Sequence, residues 1–242
     1  MSKIRFYFPP CEIKSHILLE DKRNIHKIKN VLRLKEGGSL FIFDGQGKEY
    51  LYSIENTGKK DLSLKRIKTT REEFFPQFTV SLAFPLMREA KLDLIFQKAT
   101  ELGVFRFLPF LARRGAVVKN PSKIKLERWR KIIEEAARQS DRLWLPRIEE
   151  VKPFDDVIKE EADIKLAAYR DGEMLQALVD KKKHKRFFLI IGPEGDFSQE
   201  EKQKLKEAGF RFLKLSENIL RSETAAFFSV GILNYICSGI GK

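Results

Sequence analysis

The chain has 242 residues, 43% of them hydrophobic, and a formal net charge of +13 at pH 7. That apolar content can bury a sizeable core, which excludes an extensively disordered chain, and the positive excess favours polyanionic partners, nucleic acid or an acidic membrane surface. Two cysteines and three scattered histidines give neither a disulfide framework nor a metal-ligand spacing, and no apolar run is long enough for a bilayer. The first residues lack the apolar core of a secretion signal, so a cytoplasmic protein with no membrane partner and no metal is expected.

Residues 1–70 carry 15 Lys and Arg against 8 Asp and Glu, so the N-terminal part is the more basic per residue and is the natural candidate for gripping nucleic acid. Arg5–Phe8 reads as a short aromatic strand. Asp21–Leu34 places Ile25, Ile28, Val31 and Leu32 at helical spacing, and Gly37 is the expected positive-φ stop. Ser39–Phe43, Glu49–Glu55 and Asp61–Ile67 alternate apolar and polar positions as half-buried strands do, with turns at Asp44–Gly47 and Asn56–Gly58. The pattern predicts a small antiparallel β domain over 1–70. The charged stretch from Thr69 to Gln77, with Pro76, reads as a linker, taken as 71–77.

From Phe78 onward strand-like runs alternate with helices, which predicts an α/β domain over 78–242 with a mainly parallel sheet. The strands expected are Phe78–Phe84, Phe105–Phe110, Asp163–Ala168, Arg186–Ile191 and Phe210–Leu215. One helix follows the first strand, with Leu92, Ile95, Phe96, Ala99 and Leu102 on one face. A second carries Leu126, Trp129, Ile133, Ala136 and Ala137 on one face. Ser198 and Glu201 have capping-box spacing for a third. The last helix, Thr224–Cys237, is apolar on every face, so it is either a central core helix or a subunit interface.

There is no Gly-x-x-x-x-Gly-Lys-Ser/Thr phosphate loop, no Gly-x-Gly-x-x-Gly after a strand and no His-Glu-x-x-His. What remains lies at the carboxyl ends of the last two strands: Gly192-Pro193-Glu194-Gly195-Asp196 and Ser216-Glu217-Asn218-Ile219-Leu220-Arg221. Open α/β sheets bind ligands beyond the carboxyl ends of their strands. Glycines let a ligand approach the backbone closely. From the residues alone the two loops are either a ligand site or a pair of ordinary tight turns.

At these residues the chain resembles the SPOUT class of methyltransferases and, within it, the ribosomal RNA small subunit methyltransferase E family. The resemblance runs nearly end to end. It is carried by Arg5-Phe6-Tyr7, His26 to Arg33, Gln97 to Val104, Glu127-Arg128-Trp129, Glu135 to Arg142, Ile191 to Gly195 and Ile219 to Ala225. It implies a PUA-like β-barrel at the N-terminus and a trefoil-knotted, mainly parallel α/β domain after it. It also implies a homodimer, S-adenosyl-L-methionine as cofactor, and methylation of a uridine at N3 in 16S ribosomal RNA of the small ribosomal subunit. Asp196 and Ser216 stand where the family more often has glycine, and Ser222 where it has threonine.

Carried onto this sequence, the expected cofactor residues are Ala168, Ile191, Gly192, Pro193, Glu194, Gly195, Leu215, Ser216, Asn218, Ile219, Leu220, Arg221, Thr224 and Ala225. Uracil N3 is protonated at neutral pH, so methylation needs the proton removed or the anion stabilised as it forms. Arg221 is the candidate cation. Glu194 is either a general base or a carboxylate that orients its loop, and Arg5 could reach the base from a partner subunit. Lys22, Arg23, His26, Arg33, Arg88, Lys91, Arg113, Arg114, Arg138 and Arg142 are the expected RNA contacts, with binding that weakens steeply as salt rises. A SPOUT enzyme acting on another atom, such as a ribose 2′-hydroxyl, and a non-catalytic ribosome-assembly factor are the alternatives.

Overall fold

The structure, a computed structural model, describes residues 3–58, 60–112, 123–180 and 182–238. It divides into two units. The first comprises Met1–Phe75 with Ala137–Leu145, the second Pro76–Ala136 with Pro146–Lys242.

The first unit is built on a five-stranded sheet of β1 (Arg5–Tyr7), β2 (His16–Leu19), β3 (Ser39–Phe43), β4 (Lys48–Asn56) and β5 (Leu62–Glu72), in the order β1-β3-β4-β5-β2. All pairs are antiparallel except β1 with β3, which is parallel. Inward-facing residues from every strand, among them Phe6, Ile17, Leu40, Ile42, Tyr52, Ile54 and Leu64, form one core. The helix expected over 21–34 is shorter. Asp21 caps α1 (Lys22–His26) by accepting from Asn24 N at 2.8 Å, and the chain continues as one π-helical turn, Lys27–Val31. Its stop is Arg33 at φ 53, and Gly37 instead donates to Ile54 O in the turn before β3.

The linker assignment also changes. β5 runs to Glu72, with Thr69 and Arg71 paired to Tyr50 and Glu49 of β4. Beyond Lys65 it has lost β2 as a neighbour and its residues are exposed except the half-buried Thr70 and Arg71, so a one-sided strand carries the polar composition of a linker.

The second unit centres on a seven-stranded parallel sheet. Its strands are β6 (Thr79–Pro85), β7 (Arg106–Leu111), the two-residue β8 (Arg147–Ile148) and β9 (Lys152–Pro153), β10 (Ile164–Met174), β11 (Arg186–Ile190) and β12 (Phe210–Lys214). The order is β12-β10-β11-β6-β7-β8, with β9 also on β7. Its helices are α2 (Glu89–Glu101), α3 (Lys123–Gln139, whose last turn belongs to the first unit), the single turns α4 (Phe154–Val157) and α5 (Leu175–Leu178), α6 (Gln199–Glu207) and α7 (Ser222–Ser238). Strands buried on both faces read as apolar runs, which is why Phe187–Ile190 is fully buried. The aromatic side chains of Phe84, Phe96, Phe107 and Trp129 pack with ring centroids 5.0–6.1 Å apart. Each such burial contributes about 1.5–3 kcal/mol. The Ser198/Glu201 capping box is formed in both directions and fixes where α6 begins.

α7 is not buried all round. Ala225, Ala226, Ser229, Val230 and Leu233 are buried, while Phe228 and Tyr235 are exposed. Among the described residues no helix is long and apolar enough to cross a membrane, and no cluster of three or more His, Cys, Asp or Glu could hold a metal ion.

Candidate active site

The carboxyl ends of β10, β11 and β12 open into a cleft of about 820 Å³, within the range of small-molecule sites. Three segments form most of its wall, with Lys91 of α2 and Ala225 of α7 completing it. The loop after β11 supplies Ile191–Asp196, the loop after β12 supplies Leu215, Ser216 and Asn218–Ser222, and the end of β10 supplies Ala168–Asp171. Of the cofactor residues expected from the sequence, all except Thr224 line this one cleft.

The loops are tied together. Ser222 Oγ donates to Gly192 O at 3.0 Å, joining the start of α7 to the loop after β11. Asp196 N donates to Pro193 O at 2.9 Å, and Asp196 Oδ1 accepts from Phe197 N at 2.8 Å, closing a tight turn with Asp196 at φ 62. Asp and Asn tolerate that left-handed geometry better than most side chains. In the other loop Ser216 Oγ accepts from Asn218 N at 3.0 Å. The small polar residues at 196, 216 and 222 therefore each hold a backbone bond that shapes the cleft.

Of the third wall, sequence reasoning named only Ala168 and missed Tyr169, Arg170 and Asp171. β10 pairs with Leu213 of β12 twice, once through Ala168 and once through Glu173, so residues 169–172 bulge from β10 as a lip. Gly172 is required there: a Cβ would stand 2.6 Å from the backbone C and O of Phe212. An isolated glycine inside an otherwise strand-like run was the available signal for a bulge.

The charged groups named from the sequence stand in different surroundings. Arg221 lines the cleft and is exposed, and its guanidinium makes no hydrogen bond or ion pair among the described residues. Glu194 is exposed and its carboxylate accepts a hydrogen bond from Lys91 Nζ, which also lies 3.2 Å from Glu223. The hydrogen bond and charge of Lys91 hold the Glu194 carboxyl below the usual carboxylate range. A general base for neutral pH needs the opposite shift, and the tie to Lys91 suits a carboxylate that orients its loop. Lys91 itself, expected on RNA, is committed to two carboxylates beside the cleft.

Arg5 is not placed to reach a substrate. It is 3% exposed, with Nε donating to Glu49 Oε2 at 2.7 Å and Nη1 and Nη2 donating to the carbonyls of Arg138 and Arg142 at 3.0 and 3.1 Å. Its guanidinium lies 4.6 Å from the centre of the Phe43 ring. It holds the 137–145 segment inside the first unit. In that segment Arg142 is half-buried, and desolvation lowers its guanidinium to about 10, an environment unlike that of a phosphate-gripping side chain. Arg138 presents its carbonyl to Arg5. Lys22, Arg23, His26 and Arg33 are exposed around α1 and the π turn, and Arg88 is exposed at the start of α2. Arg113 and Arg114 lie outside the described residues.

A basic N-terminal β unit followed by a parallel α/β unit with a cleft at its strand ends matches known proteins closely. Residues 75–234 match the family described as the RNA methyltransferase domain, and 19–65 match the RNA methyltransferase PUA domain. Ribosomal RNA small subunit methyltransferase E of Bacillus subtilis is 32% identical over 87% of both chains. The protein of the same name from Rickettsia conorii is 30% identical over 89% of this chain and 88% of its own. A solved methyltransferase of Legionella pneumophila, with its cofactor S-adenosylmethionine bound, is 28% identical, has a TM-score of 0.86, and aligns over 98% of both chains. The chain belongs to the ribosomal RNA small subunit methyltransferase E family. It is an RNA methyltransferase that uses S-adenosylmethionine.

Proposed function

We propose that the enzyme methylates a uridine of 16S ribosomal RNA at N3, in the cytoplasm, with the cofactor held in the cleft beyond β10, β11 and β12. The observation that carries the reading is the convergence of both family loops on one cleft, with Arg221 uncommitted beside it. The cleft suits the cofactor. Gly195 lines it, and a Cβ there would meet nothing within 4 Å, so the space beside that backbone is open and a side chain would take it. Ile191, Pro193, Leu215 and Leu220 offer apolar surface for a nucleoside. Arg170, Asp171 and Arg221 offer both signs of charge for a zwitterionic amino-acid group.

When bound, the cofactor supplies an electrophilic methyl group on a sulfonium sulfur. The chain's own task is to make uracil N3 nucleophilic. Arg221 places a positive charge beside the cleft, where it stabilises the uracil anion as the N3 proton leaves to solvent. Glu194, its charge held by Lys91, keeps the loop after β11 in place. Lys22, Arg23, His26 and Arg33 of the basic unit and Arg88 of the second meet phosphates. The domains follow as 1–75 with 137–145 and 76–136 with 146–242, the second carrying the trefoil knot that the resemblance implies.

The enzyme works as a homodimer in this reading. Phe228 and Tyr235 on α7 are exposed, as are Leu94 and Leu102 of α2, the helix on which α7 packs. Such a patch favours a subunit contact. The experiment is single-turnover methylation of purified small subunits followed by nucleoside analysis. N3-methyluridine is the expected product, and a ribose-methylated nucleoside would refute the assignment of the target atom.

A further inference from the structure

Lys202 does not line the cleft, yet it joins two of its walls. Its Nζ lies 2.9 Å from Asp196 Oδ2 in the loop after β11 and donates to the Tyr169 hydroxyl at 3.1 Å in the lip within β10. The same ammonium stands 4.2 Å from the centre of the Tyr169 ring, whose other neighbour is Phe212 at 5.3 Å between centroids. The Lys202 side chain is only 15% exposed. Burial disfavours the charge, but the bonds to Asp196 and Tyr169 outweigh it and raise the ammonium above its ordinary value. Both residues it holds, Tyr169 and Asp196, line the cleft directly.

The pairing explains an otherwise costly residue. Asp196 sits at φ 62, where glycine would be free of strain. A carboxylate at this position gives the loop a handle that glycine lacks, and Lys202, one helical turn into α6, is the group that takes it. Residues 169–172 bulge from β10 with no register partner on β12, so the lip depends on such a tie.

We propose that Lys202 is a positioning residue for cofactor binding, clamping Tyr169 and Asp196 so that the lip and the loop after β11 keep the spacing the cofactor needs. The inference rests on the cleft being the cofactor site. Lys202→Met should weaken S-adenosylmethionine binding, and raise its KM, about fivefold with kcat at saturating cofactor unchanged. Lys202→Arg, which keeps a cation able to span both partners, should recover most of the affinity. Asp196→Gly should weaken binding in the same way while leaving thermal stability unchanged or higher, because it relieves the backbone. Lys202→Met should then add little in the Asp196→Gly background.

The measurements are calorimetric titration of the full-length enzyme with S-adenosylmethionine, steady-state kinetics and thermal melting. Ser216→Trp, which fills the cleft, is the control. A Lys202→Met enzyme that melts lower but binds the cofactor as the wild type does would overturn the clamp. If Ser216→Trp then abolishes binding, the cleft assignment survives that failure. If neither substitution changes binding, both the clamp and the cleft assignment fall.

Discussion

Arg5 and Arg221 both belong to stretches that mark the family, and the two units treat them in opposite ways. In the first unit Arg5 is enclosed by Glu49, Asp141, three carbonyls and the Phe43 face, and Glu49 is fully buried with Thr70 and Lys3 also donating to it. In the second unit Arg221 precedes α7 on an exposed loop, and its guanidinium makes no bond among the described residues. A guanidinium whose donors are saturated by its own fold is a structural member. One left unsaturated at a ligand cleft is available for chemistry, and the difference is made by neighbours remote in sequence.

The comparison breaks most readily at Arg5. Removing one partner of a buried ion pair costs about 3–5 kcal/mol, and the partly exposed Lys3, 3.3 Å from Glu49, compensates that carboxylate only in part. Arg5→Ala should therefore destabilise the first unit by that amount, without acting at the cleft. The two tryptophans make this measurable, since Trp144 belongs to the first unit and Trp129 to the second. Urea unfolding followed by Trp144 fluorescence in a Trp129→Phe background should shift strongly, while affinity for S-adenosylmethionine stays as in the wild type. A stable Arg5→Ala protein with lost activity would restore Arg5 to the substrate site.

Arg221→Ala should show the reverse. Losing a group that stabilises developing negative charge costs about 100- to 1,000-fold in turnover, with the melting temperature unchanged because Arg221 anchors nothing. Single-turnover methylation that stays within a few-fold of wild type would remove the cation from the mechanism. A smaller effect is expected at Ser222, whose hydroxyl links α7 to Gly192 O at 3.0 Å. Ser222→Ala loses a hydrogen bond worth about 1 kcal/mol and should weaken cofactor binding accordingly in a titration, whereas Ser222→Thr should retain it.

How far the sequence reveals this site depends on whether the deciding contact is local. The loops at 192–196 and 216–221 are legible because each interrupts an apolar strand run with glycine, proline or short polar residues. The capping box at Ser198 is legible for the same reason. The lip at Tyr169–Asp171 is not, because β10 reads as one strand and the bulge is set by its pairing with Leu213. Lys202 carries no signal at all in a lysine-rich helix, and its role appears only when β10 and the loop after β11 are brought beside α6. β2, four residues of alternating exposure, is too short to register. The helical turn of the N-terminal unit is legible as an apolar face over Ile25 and Ile28, but its π geometry and its end at Arg33 are not.

The finest distinction concerns Glu194, where the comparison with Arg221 sharpens to two charges on facing loops of one cleft. Glu194 is exposed, and its carboxyl is lowered by the hydrogen bond and charge of Lys91, with Arg88 and Arg221 adding to the effect. A lowered carboxyl stays ionised down into acid, and whatever its tie to Lys91 contributes is present above the ordinary carboxylate range and lost as pH falls through the lowered value. Near neutrality Glu194 therefore does not titrate, and no limb of a neutral pH–rate profile belongs to it. Glu194→Gln keeps a hydrogen-bond acceptor for Lys91 and removes only the charge, so the profile of kcat between pH 6 and 9 should retain its shape. A slope that disappears in that variant would make Glu194 the base. A profile that keeps its slope leaves the proton to solvent and the anion to Arg221.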